Sequence, residues 1–145
     1  RTAEADSAYA DAVRKAAGAF RSEPDGGWAD EALYLLGRAL LRQGEYARAL
    51  EILALVHDNL LRMARIEEGK TERWITPTKA LEQDTSPAAY RRYQACTAAL
   101  EPAALHSAYR ACWLWGNEMM DRIGRRYELD WPDKLMQRIS ELQER

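Results

Sequence analysis

The densest chemistry in the chain lies at residues 66–84, IEEGKTERWITPTKALEQD, where Glu67, Glu68, Lys70, Glu72, Arg73 and Lys79 surround one indole, Trp74. Carboxylates accept from hydroxyl or ammonium groups, lysine and arginine answer phosphate oxygens, and an indole covers an apolar ring. A segment with that repertoire is suited to holding a polar ligand. The same composition also suits a solvated loop with Trp74 pinned into a core.

Other chemically suggestive residues reduce to structure. EGKT at 68–71 matches the end of a phosphate-binding loop, but that motif needs a glycine at position 64 and a strand leading into it. Ala64 stands there, at the end of a helical pattern. His57 and His106 lack partners at metal-ligand spacing, so each reads as a satisfied helical residue. Cys96 and Cys112 are sixteen apart in helical patterns, without a CxxC, and read as reduced core thiols of a cytoplasmic protein.

The elements that must position the charged segment are helices. Residues 3–21 carry Tyr9, Val13, Ala16 and Phe20 at helical spacing, and PDGG at 24–27 closes that helix. A second helix over 28–43 presents Leu33, Leu36, Leu40 and Leu41, with Gly44 as its C′ residue. The longest periodic stretch follows, with Leu50, Leu53, Val56, Leu60, Met63 and Ala64 alternating steps of three and four to about Glu68.

Beyond the charged segment, hydroxyl-proline pairs mark two starts. Thr76-Pro77 precedes a short turn through Gln83, and Ser86-Pro87 precedes a helix to about Leu100. Pro102 opens a helix with Leu105, Tyr109, Cys112, Gly116, Met119 and Ile123 on one face. Around Cys112 to Trp115 it is apolar almost all round, which predicts central burial or an exposed strip for subunit contact. Trp113 and Trp115 point some 200° apart on such a helix, and are the alternative lining of a ligand pocket or a dimer seam. Pro132 starts a last helix carrying Leu135, Ile139 and Leu142. No strand pattern appears, and the expected architecture is an all-α bundle of five or six helices.

Residues 32–53, ALYLLGRALLRQGEYARALEIL, match one tetratricopeptide unit at Leu36-Gly37, Ala49 and Leu53. A second copy thirty-four residues on would put Lys70, Thr71 and Gln83 at those small and apolar positions, so the repeat reading fails. A helical hairpin accounts for the pattern.

Composition excludes several function classes. Hydrophobic residues are 47% and charged residues 30% of the 145, an ordinary globular balance. A chain of this size buries about 68–70% of its extended surface, enough for a core in one domain. The formal net charge is −2, with bases answered by acids along the chain, which argues against nucleic-acid binding. No apolar run reaches the length of a membrane span. The start at Arg1, already inside an Ala-rich helical pattern, predicts a piece of a longer protein.

The runs EEGKTERWITPTKALEQD, SPAAYRRYQACTAAL and AYRACWLWGNEMMDRIGRRY resemble the C-terminal helical domain of antibiotic nucleotidyltransferases, closest to two-domain lincosamide nucleotidyltransferases. The resemblance covers about residues 30–140. It implies an upstream catalytic domain with a Gly-Ser turn and an Asp-x-Asp pair that bind Mg²⁺ and the triphosphate of ATP. It also implies a helical domain that covers the drug and supplies subunit contacts, as in a homodimer. The transferred nucleotidyl group goes to a drug hydroxyl.

This chain has no such Gly-Ser and Asp-x-Asp set, so the resemblance implies a substrate-binding part without catalytic carboxylates. By chemistry and position within the resembling stretch, Glu67 and Glu68 are expected to contact hydroxyl or ammonium groups. Lys70 and Arg73 are expected nearer the phosphates, with Trp74 as an apolar lid. The alternative is a helical interaction module partnering a separately encoded minimal nucleotidyltransferase.

Overall fold

The computed structural model describes residues 29–73 and 75–128. The helices expected over 3–21 and from Pro132, and Trp74, lie outside the described residues. Every regular element among those described is a helix: α1 Ala29–Arg42, α2 Tyr46–Glu68, α3 Leu81–Asp84, α4 Pro87–Ala95 and α5 Pro102–Tyr127. The protein is all-α. None of these helices is long and apolar enough to cross a membrane.

Glycines in the left-handed region end the first two helices, where a Cβ would be strained. Gly44 sits at φ +77°, with its amide bonded to the Leu41 carbonyl and the Glu45 amide to that of Leu40. Gly69 sits at φ +68°, and the Lys70 amide returns to the Arg65 carbonyl at 2.9 Å. The EGKT sequence is thus the C-cap of α2, its amides turned back on the helix.

α4 begins as the sequence predicts, with Ser86 Oγ accepting from the Ala89 amide at 3.2 Å and Pro87 in the first turn. It ends at Ala95, well short of Leu100. The carbonyl of its C-cap residue, Cys96, accepts from His57 Nε2 at 2.6 Å. Glu101 is then extended ahead of Pro102, and its carboxylate caps the Ala103 and Ala104 amides of α5. The start expected at Thr76-Pro77 also shifts. The Pro77 and Lys79 carbonyls point at the Arg65 guanidinium rather than along a helix axis, and the single turn of α3 begins at Leu81.

The antiparallel pair α1 and α2 packs on α5, and α4 closes the other flank of α5. Contacts between α2 and α5 rise together along both chains: Ala49 with Tyr109, Leu60 beside Gly116, Glu67 with Arg122. The two long helices therefore run side by side in the same direction, and residues 69–101 form the crossover between them. Leu53, Leu61, Leu105, Tyr109 and Met119 are the large side chains at the centre of the core.

Two sequence features gain a physical cause here. The Tyr109 ring lies where a Cβ at Gly37 would stand, and its hydroxyl donates to the Ala49 carbonyl at 2.6 Å. Gly37 and Ala49, the residues that suggested a tetratricopeptide unit, are small because one tyrosine fills the seam of the α1–α2 hairpin. The apolar girdle of α5 is explained by neighbours on two sides: Trp115 is 3% exposed within the core, while Trp113 stacks against Tyr34 of α1 at 5.4 Å between ring centres. The exposed strip expected around Cys112 to Trp115 reduces to Leu114, 52% exposed. Cys96 and Cys112 are free buried thiols, and the Cys96 side chain beside it, followed by burial, pushes the Cys112 thiol up.

Candidate functional site

At the C-terminal ends of the parallel helices the chain opens into a cleft of about 540 Å³, bounded by α2, α4 and α5. The volume is in the range of small-molecule sites, about 300–1,000 Å³. Its apolar surface comes from Ala64, Ala88, Ala89, Trp115 and Met119, and its polar rim from three arginines and three glutamates. Trp115 and Met119 are core residues whose edges reach the cleft, so the apolar surface is held rigidly by packing.

Each acidic residue of the rim has a distinct environment. Glu67 receives two bonds from Arg122, Nε at 2.6 Å and Nη2 at 2.9 Å, and Arg126 donates to the Glu67 carbonyl at 3.0 Å. The pair keeps the Arg122 guanidinium firmly charged, chiefly through the hydrogen bond to Glu67. Glu118 pairs with Arg92 at 2.9 Å, joining α5 to α4. Glu68 accepts from the Ser86 amide through both carboxylate oxygens, at 3.0 and 3.1 Å, at the start of α4.

A second charged cluster lies behind the crossover. The Arg65 side chain is 2% exposed and donates to the Pro77 carbonyl through Nε at 3.1 Å and Nη2 at 2.7 Å, and to the Lys79 carbonyl at 3.0 Å. Its Nη1 reaches Asp84 Oδ2 at 3.1 Å, and Arg73 Nη1 reaches the same oxygen at 2.6 Å. Hydrogen bonds from Arg65 and then Arg73 hold the Asp84 carboxyl below its ordinary range. One buried guanidinium thus fixes the backbone that carries the chain from α2 to α4. The short segment from Asp84 to Ser86 links this cluster to the Glu68 bond.

The structure therefore divides the residues singled out by charge. Glu67 and Glu68 share the cleft. Arg73 belongs to the Asp84 cluster, and Lys70 is exposed just past the α2 cap; neither lines the cleft. Trp74 lies outside the described residues.

Of the two tryptophans offered as an alternative pocket lining, Trp115 lines the cleft and Trp113 does not; Arg91, Arg92, Glu118 and Arg122 complete it, and charge density in the crossover pointed to none of them. Arg65 did carry a signal: it follows the buried Leu61 by four and stands beside Ala64, on the inward face of α2. The Glu67–Arg122 pair spans 55 residues of sequence, a separation that helical periodicity cannot read.

Among the described residues, no group of three or more His, Cys, Asp or Glu side chains could hold a metal ion. The cleft offers charge, hydrogen bonding and an indole edge to a ligand.

A comparison with curated proteins gives no match. The profile of the family described as "Lincosamide nucleotidyltransferase-like, C-terminal domain" matches residues 31–142. That span takes in α2 through α5 and the whole rim of the cleft. The chain belongs to the lincosamide nucleotidyltransferase-like C-terminal domain family.

Proposed function

We propose that this chain is the substrate-holding part of a nucleotidyltransferase that moves a nucleotidyl group from ATP to a hydroxyl of a lincosamide-like antibiotic. The observation that carries the proposal is the cleft beside Glu67 and Glu68, a drug-sized recess with an apolar surface and a charged rim inside the family-matched span. An amino sugar offers hydroxyls and an ammonium to carboxylates, and an apolar substituent to the Trp115 edge.

Mg²⁺ is assigned to a catalytic domain of the proposed enzyme. The cleft binds and orients the drug, and its packed surface excludes water from one side. Such positioning contributes by lowering the entropic cost of bringing drug hydroxyl and phosphorus together. A drug carrying a bulky anionic nucleotide would lose its ribosome contacts, making the enzyme an antibiotic-resistance factor acting in the cytoplasm.

The test is mass spectrometry of a panel of lincosamides and aminoglycosides incubated with ATP, Mg²⁺ and the full-length parent protein, with the 145-residue chain as control. The proposal expects a gain of one AMP on a lincosamide with the parent only. No gain on any drug with a folded parent would move the function to a partner-binding module.

A further inference from the structure

The cleft's rim is not uniformly neutralised. Of its three glutamates, Glu67 is answered by Arg122 and Glu118 by Arg92. Glu68 meets only the Ser86 amide and has no cation within ion-pair distance among the described residues. Of the three arginines, Arg122 and Arg92 are the partners just named, and Arg91 pairs with no carboxylate among the described residues. One negative and one positive charge are left over, both lining the same recess.

We infer that the cleft recognises a protonated amine at Glu68 and an anionic phosphoryl group at Arg91, flanking an apolar body laid against Ala64, Trp115 and Met119. A charge already answered by a rigid partner gains little from a ligand, because the ligand must displace that partner. An unanswered charge gains a new charge-assisted hydrogen bond. The amide bond to Glu68 adds to the selectivity: it fixes the carboxylate and leaves acceptor sites unused, since each oxygen has two lone pairs. Arg91 supplies a planar fork suited to phosphoryl oxygens. In the transferase reading, on which this assignment rests for its biological ligands, the amine belongs to the drug and the phosphoryl group to the nucleotide donor. Glu67, a leading candidate from sequence, becomes a wall that holds Arg122 in place.

The assignment is tested without any drug. The full chain is titrated with 6-aminohexyl phosphate, hexyl phosphate and hexylamine, following the Ser86 and Ala89 amides and the Trp115 indole by NMR. The doubly charged probe is expected to bind at least tenfold more tightly than either singly charged probe. Glu68→Gln, which keeps the oxygen that accepts from Ser86, should reduce its affinity to that of hexyl phosphate. Arg91→Gln should reduce it to that of hexylamine. Equal affinity for the three probes, no shift at Ser86, or a larger loss in Glu67→Gln than in Glu68→Gln would overturn the assignment. Transfer to lincosamides can succeed or fail independently of these results, so the two readings are separable.

Discussion

Arg122 of α5 grips Glu67 of α2 through two parallel bonds, at 2.6 and 2.9 Å, where the two helices end side by side. The pair is the far post of the seam that Tyr109 and Ala49 fasten at the other end. Arg122 is 52% exposed, so its energetic weight is that of a surface ion pair. Arg122→Gln should cost about 0.5–1 kcal/mol, less at high salt, read as a shift in urea midpoint. An unchanged midpoint at low salt would show that the pair orients rather than stabilises.

Arg65 should matter far more. Removing it leaves the Pro77 and Lys79 carbonyls without their donor and Asp84 with only Arg73. Arg65→Met should cost about 3–5 kcal/mol, the range for breaking a buried charge network on one side. Hydrogen exchange should accelerate first across residues 77–86. Retention of wild-type stability would mean that the crossover is held by something else.

The pH dependence has two separate arms. Asp84 has a depressed folded pKa, so its contribution is full above the ordinary carboxylate range and is lost as pH falls through the lower folded value. Asp84→Asn should lack that acid loss. His57 is also lowered, by burial first, with the Cys96 carbonyl and Asp58 opposing. The unfolded state takes up a proton before the folded one, so stability should decline as pH falls below about 6.5. His57→Gln, titrated by urea denaturation between pH 7.5 and 5, should reduce this decline, leaving the share of His106, which burial and then Arg38 also lower; an identical slope would place the titrating group elsewhere.

Glycines 37 and 44 separate two kinds of constraint. At Gly44 a Cβ has open space around it but a left-handed backbone, so Gly44→Ala should cost about 1 kcal/mol. At Gly37 the backbone is helical and the obstacle is the Tyr109 ring. Gly37→Ala should cost about 1–3 kcal/mol through overpacking, and the double variant with Tyr109→Phe should recover little, since the ring remains. Thermal melts of the three variants test this; a Gly37→Ala variant as stable as wild type would contradict the seam described here.

What was legible in the sequence was whatever is periodic or punctuated. The buried face of α2 from Leu53 to Ala64, the face of α5 from Leu105 to Ile123, and the Ser86-Pro87 start all lie where spacing and capping residues put them. Gly44 and Gly69 each end a helix for the reason glycine is chosen there. What was not legible depends on contacts between distant segments. The end of α4 at Ala95 is capped by His57, 39 residues away, through the Cys96 carbonyl. Arg73 looked available for a ligand and is committed to Asp84, while Arg91 drew no notice in an ordinary helix. Charge density pointed to the end of the molecule that holds the cleft and to only part of its rim.

The most direct measurement of the central claim, that the recess between α2, α4 and α5 holds the drug, is steady-state transfer by the proposed full-length transferase with Ala88→Trp. Ala88 is exposed on the cleft wall, so an indole there fills the recess without entering the core. The account predicts a KM for the lincosamide raised at least tenfold with the KM for ATP within twofold of wild type. Unchanged KM values for both, in a variant that folds normally, would contradict it.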